Sequence, residues 1–276
     1  MLVDPSNTEQ LQAWDGGQGE FWARRADRFD AGVARYREHF FAAAAIEPDS
    51  TVLDVGCGAG QVTRDAARQA KSGLALGVDL SAPMLALARE LAGRENLPNA
   101  VFGQLDAQVH PFTEHAFDRV VSRHGAMFFG DAPAAFANLA RALRPGGLLT
   151  LLSWQPMPRN EWMRTFRTAF ANGVEPTTPP PTAGGLTDPD LTRDLLSTAG
   201  FTDIAVDPVS EQMWFGRDVP DALEFITEQF GWIMREQDAD TQARIVEAVR
   251  ADLAAHLTED GVRYGSAAYL VRARRP

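Results

Sequence analysis

The chain carries the run TVLDVGCGAG, in which a short apolar stretch leads directly into three closely spaced glycines. Thr51–Val55 is β-branched and apolar apart from Asp54, which predicts a buried strand. Gly56, Gly58 and Gly60 then remove three side chains within one turn, and a helix is predicted to follow. Backbone N–H groups at such a turn can approach a ligand closely, at the positive end of the helix. We therefore expect a ligand with a polar, partly anionic end to bind here.

Strands and helices alternate downstream of this turn. The predicted strands are Thr51–Val55, Leu74–Asp79, Ala100–Leu105, Phe117–Ser122 and Leu148–Ser153, and the predicted helices cover 61–70, 82–92 and 132–143. Apolar strands that alternate with helices are typical of a mostly parallel sheet with helices on both faces.

The segments outside this alternation are predicted to be mainly helical. Residues 8–45 carry aromatic side chains near helical spacing, and they are either a helix packed on the core or a cap over a ligand. Another aromatic helix is expected at 161–172, followed by a stretch rich in Pro, Thr and Gly at 175–185, and a long amphipathic helix is expected at 220–257. Further strands are expected at 201–215 and 264–273.

We interpret the chain as a single domain with additions to its core. The expected parts are a helical N-terminal cap at 1–47, a cofactor-binding core at 48–155, helical lid insertions at 156–187 and 217–261, and the C-terminal part of the core at 188–216 and 262–276.

Composition narrows the function classes. With 276 residues and 45% hydrophobic content, the chain can bury a core, and its net charge of −11 disfavours a nucleic-acid partner. We therefore expect a small-molecule substrate. Cys57 is the single cysteine, which excludes an intrachain disulfide and a Cys-rich zinc site, and no metal-ligand spacing is present. Without a signal pattern or a membrane span in the sequence, we expect a cytoplasmic monomer or homodimer.

The spacing of the glycines separates several nucleotide-binding motifs. Dinucleotide-binding domains favour G-x-G-x-x-G, whereas this chain has G-x-G-x-G, with Asp54 inside the preceding strand. A phosphate-binding P-loop needs Lys-Ser/Thr after the glycines, and Gln61-Val62-Thr63 does not supply it. An NAD(P)-dependent oxidoreductase remains a weaker alternative.

Four motifs together resemble those of the class I S-adenosylmethionine-dependent methyltransferases, in the group of small-molecule enzymes that act on ubiquinone and menaquinone precursors. They are the run Val52–Gly60, the acidic strand end Val78-Asp79-Leu80-Ser81, the acid in Leu105-Asp106-Ala107, and the turn Leu143-Arg144-Pro145-Gly146-Gly147. The resemblance implies a Rossmann-like α/β fold with a seven-stranded, mostly parallel sheet whose last strand is antiparallel. It also implies S-adenosyl-L-methionine as cofactor, S-adenosyl-L-homocysteine as product, and methyl transfer by in-line displacement.

The resemblance further implies roles for individual residues. Asp79 would accept hydrogen bonds from the ribose hydroxyls, although Asp79 or Ser81 could instead cap the next helix. Asp106 would accept from the adenine amino group, with a backbone donor at Ala107. The other expected cofactor-binding residues are Trp22, Asp54, Gly56, Cys57, Gly58, Gly60, Gln61, Leu80, Met84 and Ser122, where Cys57 is also read as a buried filler of the turn.

The sequence says less about which residues bind the molecule that accepts the methyl group. His124 follows the fourth strand and is either a general base or only a wall of the pocket. Aromatic residues and methionines in the additions predict a lid over a hydrophobic or aromatic acceptor. They are Met127, Phe128, Phe129, Trp154, Trp162, Met163, Phe166, Trp214, Phe215, Phe225, Phe230, Trp232 and Met234. A protein of the same fold that binds the cofactor without methylating is the main alternative.

Overall fold

The computed structural model describes residues 1–174 and 186–276, so the expected Pro/Thr/Gly-rich stretch at 175–185 lies outside the described residues. The described chain forms one sheet with helices on both faces. The strands are β1 Thr51–Val55, β2 Leu74–Asp79, β3 Ala100–Gln104, β4 Phe117–Arg123, β5 Leu143–Trp154, β6 Thr202–Gly216, β7 Leu257–Thr258 and β8 Gly261–Arg274.

The sheet order is β3-β2-β1-β4-β5-β8-β6, with the two-residue β7 paired to β8. Strands β1 to β5 pair in parallel, and β8 runs antiparallel to both β5 and β6. The expected parallel sheet with an antiparallel last strand is therefore confirmed, and β7 adds a short eighth strand. Because the chain reverses its direction of winding at β1, the connections after β1 and β4 lead in opposite directions along the sheet, which is where a crevice forms at the strands' carboxyl ends.

Helices connect and flank these strands. They are α1 Thr8–Trp14, α2 Gly17–Arg24, α3 Ala26–Gly32, α4 Tyr36–Ala44, α5 Gln61–Gln69, α6 Ala82–Arg94, α7 Ala132–Ala142, α8 Glu161–Phe170, α9 Pro189–Thr198, α10 Val219–Phe230 and α11 Ala239–Ala255. Side-chain caps fix where five of them begin. The capping oxygens, which accept a backbone N–H of the first turn, belong to Ser81, Asp131, Asp188, Asp218 and Asp238.

Hydrophobic clusters fill both faces of the sheet. Successive strand residues point to opposite faces, so Val52 packs with Tyr36 and Phe40 of the N-terminal cap, whereas Leu53 packs with Phe136 of α7 on the other side. All five side chains are at most 1% exposed. Each fully buried aliphatic or aromatic side chain contributes about 1.5–3 kcal/mol relative to exposure.

The structure departs from the sequence prediction at three places. The N-terminal helical segment is broken into four short helices, and the predicted helix at 220–257 is interrupted by a 3-10 turn at Gly231–Met234. Strand β5 begins at Leu143, because the turn at 144–147 forms a bulge within the strand: Gly146 N–H donates to Arg275 O at 2.7 Å, and Arg275 N–H donates to Gly147 O at 2.9 Å.

None of the helices within 1–174 and 186–276 has both the length and the apolar character that crossing a membrane requires.

Candidate functional site

A cavity of about 370 Å³ lies at the carboxyl ends of the central strands. The last residues of β1, β2, β4 and β5, namely Val55, Asp79, Arg123 and Trp154, all line it. The N-terminal helices α2 and α3 close one side, and α8 and α10 close another. Parts of the chain that are distant in sequence thus surround the turn that follows β1.

The glycine turn is held against the neighbouring strands by its backbone. Gly56 and Cys57 donate their N–H groups to Val78 O at 2.9 and 3.0 Å. Gly56 has φ +65°, and a Cβ on it would lie 2.7 Å from the Cα of Gly125, in the loop after β4. No side chain fits between these two loops, so the turn requires glycine at this position.

Asp79 lies at the end of β2 and faces the glycine turn. Its carboxylate accepts the N–H of Gly58 at 2.8 Å and the N–H of Ser81 at 2.9 Å. Burial raises the pKa of Asp79, while these hydrogen bonds act in the opposite direction. Ser81, rather than Asp79, is the N-cap of α6, because its hydroxyl accepts the N–H of Met84. Asp79 is therefore available to the cavity that it lines.

Asp54, Gly60 and Ser122 do not line the cavity, although all three were predicted to bind cofactor. Asp54 is 1% exposed and accepts the hydroxyl of Thr63 at 2.6 Å, and burial raises its pKa to about 7. Ser122 Oγ donates to Val55 O at 2.7 Å and accepts the N–H of Ala126 at 2.9 Å. Gly60 is the N-cap residue directly before α5 and has φ +75°. These residues hold the loops in position behind the cavity wall.

The acid after β3, Asp106, is buried under the N-terminal segment. It accepts the N–H of Asp4 at 3.0 Å, the amide of Asn7 at 2.9 Å and the N–H of Gln108 at 2.9 Å. Only 1% of the residue is exposed. The N-terminal segment therefore covers the end of the cavity where Asp106 and Ala107 lie.

The remaining predicted cofactor residues are brought together in the cavity wall. They are Trp22, Cys57, Gln61, Leu80, Met84 and Ala107. Burial raises the pKa of the Cys57 thiol well above its usual value, which keeps it protonated and agrees with a filler role in the turn.

His124 also lines the cavity and has a left-handed backbone, with φ +62°. Its ring stacks on Trp154 with centroids 4.0 Å apart and an interplanar angle of 13°. Both ring nitrogens are buried and have no hydrogen-bond partner within the described residues. Burial, assisted by the nearby Arg123 charge, lowers the pKa of His124 to about 3. The imidazole is thus neutral at pH 7 and has one nitrogen free to accept a hydrogen bond.

Sequence reasoning missed the ion pairs that fix the cavity wall. Arg123 donates to Asp30 of α3 at 2.7 Å and to Gln61 at 2.5 Å, which joins the N-terminal cap to the end of β4. Arg28 donates to Asp221 at 2.7 Å and lies 4.9 Å from the ring centroid of Trp214. Isolated acidic and basic residues carry no local signal that they will pair over such sequence separations.

Most of the predicted lid aromatics and methionines line the cavity. Phe166, Trp232 and Met234 do not: Phe166 and Met234 are buried in the core, and Trp232 is 54% exposed. Across residues 1–174 and 186–276, no group of three or more His, Cys, Asp or Glu side chains is arranged to hold a metal ion.

A model of the methyltransferase domain matches residues 52–147. Trans-aconitate 2-methyltransferase from Deinococcus radiodurans is 31% identical over 83% of this chain and 88% of its own length. An uncharacterized protein of Mycobacterium tuberculosis is 35% identical, but the match spans only 41% of this chain and 40% of that protein. Phosphoethanolamine N-methyltransferase 2 from Haemonchus contortus, crystallised with S-adenosylhomocysteine, superposes with a TM-score of 0.59 at 20% identity over 99% of this chain and 61% of that one, a likeness of fold.

The sheet order, the glycine turn and these matches define the class of protein. The chain belongs to the S-adenosylmethionine-dependent methyltransferases.

Proposed function

We propose that the protein transfers a methyl group from S-adenosylmethionine to a small, uncharged, hydrophobic or aromatic acceptor. The observation that carries this proposal is that two kinds of residue line one cavity. We call Asp79 and the glycine turn its polar half, and we call His124 with the surrounding aromatic side chains, such as Trp154, its lid half. When bound, S-adenosylmethionine supplies an electrophilic methyl group on a positively charged sulfur. The protein's main contribution is to hold the acceptor in line with that methyl group.

The residues at the polar half fit the cofactor. A carboxylate offers about four lone-pair positions, and Asp79 uses two of them on Gly58 and Ser81. The rest can accept the ribose hydroxyls. Leu80 and Met84 flank the place of the adenine, and Asp106, with three of its positions used, retains one for the adenine amino group. The N–H groups of Gly56 and Gly58 are donated to Val78 O and Asp79, so their carbonyl oxygens are left to accept from the amino group of the cofactor's amino-acid end.

The lid half favours an uncharged acceptor. Trp154, Trp162, Phe215 and Phe230 supply apolar surface, as ligand pockets for hydrophobic molecules do. Three arginines line the cavity: Arg28 is neutralised by Asp221, Arg123 is neutralised by Asp30, and burial lowers the pKa of the third, Arg167 of α8. An anionic acceptor would have to compete with those acids.

We propose that the neutral ring of His124 orients the acceptor hydroxyl by accepting a hydrogen bond from it, because a pKa of about 3 makes the imidazole too weak a general base. His124→Phe keeps an aromatic ring against Trp154 but removes both nitrogens. If the ring only forms the wall, this variant retains its kcat. If the nitrogen takes part, kcat falls by about tenfold, as expected for one lost hydrogen bond, while affinity for S-adenosylhomocysteine is unchanged.

Two measurements test the proposed function. Isothermal titration with S-adenosylhomocysteine tests the cofactor site. Production of S-adenosylhomocysteine from S-adenosylmethionine is then followed with a panel of phenols, hydroxyquinones, amines and trans-aconitate. Binding without turnover on any acceptor would favour a cofactor-binding protein that does not methylate, and absence of binding would contradict the proposal.

We also propose that the cap at 1–47, the core and the two helical insertions form one domain that acts as a cytoplasmic monomer or homodimer. Joint burial of the cap and the core, seen in the contacts of Tyr36 and Phe40 with Val52, supports the single domain. Cooperative unfolding in a single transition, followed by both fluorescence and circular dichroism, tests it.

A further inference from the structure

Among the described residues of the lid, Trp162 and Gln229 each carry a buried polar atom without a hydrogen-bond partner. The atoms are Trp162 Nε1 on α8 and Gln229 Oε1 on α10. Both residues line the cavity. A buried donor or acceptor without a partner destabilises the folded state. Two such groups in the wall of one cavity indicate that a ligand supplies the missing partners.

Contacts between aromatic rings place Trp162 in the lid half of the cavity. The Trp162 ring centroid lies 5.8 Å from that of Trp154, which in turn stacks on His124. On its other side, the Trp162 ring is 6.3 Å from Phe230, the neighbour of Gln229 in the chain. Trp162 therefore connects the region of His124 with α10.

We propose that Trp162 and Gln229 are specificity residues for the acceptor, and this rests on the proposed function. The indole N–H donates to an oxygen of the acceptor, and the amide oxygen of Gln229 accepts from a hydroxyl or N–H group elsewhere on it. The acceptor class is thus a neutral aromatic compound that carries both a carbonyl and a separate hydroxyl or N–H group.

The experiment uses the full chain saturated with S-adenosylhomocysteine and neutral probes that differ by one group. Dissociation constants for 4′-hydroxyacetophenone, acetophenone and phenol are measured by saturation-transfer NMR titration. The first probe carries both polar groups, acetophenone lacks the hydroxyl, and phenol lacks the carbonyl. We expect the first to bind about tenfold more tightly than either of the others, which corresponds to about 1.4 kcal/mol for one additional hydrogen bond.

Two variants, each of which removes one of the polar groups, assign the two contacts. Trp162→Phe should remove the advantage of 4′-hydroxyacetophenone over phenol, and Gln229→Met should remove its advantage over acetophenone. Trp232→Phe is the matched control, because Trp232 is 54% exposed and does not line the cavity. S-adenosylhomocysteine affinity should be the same in all three, which also reports that each variant is folded.

The outcomes are distinguishable. If S-adenosylhomocysteine binds but the three probes bind equally, or if Trp162→Phe and Gln229→Met retain the wild-type preferences, the specificity assignment is overturned and the proposed function stands. Tighter binding of 4-hydroxybenzoate than of 4′-hydroxyacetophenone overturns the neutral acceptor class. If S-adenosylhomocysteine does not bind the wild-type protein, both proposals fail together.

Discussion

Gly56 and Gly125 are in backbone contact: a Cβ on Gly56 would lie 2.7 Å from the Cα of Gly125. This contact joins the loop after β1 to the loop after β4, and both loops line the cavity. The glycine turn is therefore shaped by a neighbour nearly seventy positions away in the sequence, as well as by its own backbone.

Gly56→Ala should strongly impair both stability and cofactor binding. Gly56 combines a left-handed φ of +65° with no room for a methyl group, so the two loops must separate. Gly146→Ala is the control, because Gly146 has φ +77° but open space around its Cβ position. It should cost about 1–2 kcal/mol of unfolding free energy from backbone strain alone and leave S-adenosylhomocysteine binding intact. Equal effects of the two variants in urea unfolding and calorimetry would contradict the importance of the contact.

Asp79→Ala should weaken S-adenosylhomocysteine binding by at least about tenfold, since hydrogen bonds to charged groups are worth about 1.5–3 kcal/mol. The variant also releases the N–H groups of Gly58 and Ser81, which the carboxylate now holds. Asp188→Ala serves for comparison: it removes the N-cap of α9, outside the cavity, and should lower stability by about 1 kcal/mol without changing affinity. Unchanged affinity in Asp79→Ala, measured by isothermal titration, would refute the ribose assignment.

Asn7→Ala should make S-adenosylhomocysteine dissociate several-fold faster. Asn7 donates to Asp106 at 2.9 Å and accepts the N–H of Gly130 at 2.7 Å, so it fastens the N-terminal segment over the cavity. Removing both bonds leaves buried groups unpaired, at about 1–3 kcal/mol each. The dissociation rate is measured by surface plasmon resonance, with Glu9→Ala on the exposed side of α1 as reference. A rate equal to that of the reference would show that the segment does not retain the ligand.

The buried Asp54 predicts a pH dependence of stability. Its folded pKa, about 7, lies above the ordinary 3.8, so the folded state binds the proton more tightly than the unfolded state does. The resulting stability is fully present below pH 4 and is lost as the pH rises through 7. Wild type should therefore lose stability relative to Asp54→Asn between about pH 4 and about pH 7, as followed by urea unfolding.

A second substitution, Thr63→Val, tests whether Asp54 causes this pH dependence of stability. The Thr63 hydroxyl donates to Asp54 at 2.6 Å and lowers the pKa that burial raises. Without it, the folded pKa of Asp54 should rise further, and the loss of stability should move to higher pH. A parallel pH dependence of wild type, Asp54→Asn and Thr63→Val would show that Asp54 is not the group responsible.

The central strands were predictable because their signals are local. Thr51–Val55 and Leu74–Asp79 begin and end at the predicted residues, since apolar runs bounded by turn residues leave few alternatives. The helical additions were predicted less well. The sequence at 220–257 has continuous helical periodicity, but the chain breaks at Gly231–Met234 to fit α11 against α8 and α10.

The residues of the candidate site also fall into those that local sequence patterns indicate and those that they do not. Glycine spacing and strand-end acids are short-range patterns, and the resemblance that they carry implied roles for Asp79, Leu80 and Met84, all of which line the cavity. The covering of Asp106 by Asp4 and Asn7 joins residues about a hundred positions apart, and no local pattern encodes it.

By itself, then, the sequence determined the strand–helix alternation and the glycine turn, because backbone sterics and hydrophobic periodicity act over a few residues, and the resemblance that its motifs carry implied the cofactor. The tertiary structure alone decided that Asp54 and Ser122 do not line the cavity and that Arg28 and Arg123 are neutralised. It also decided that Trp162 and Gln229 have polar atoms with no partner among residues 1–174 and 186–276. Those properties depend on burial and on partners brought from distant segments, which only the packed chain defines.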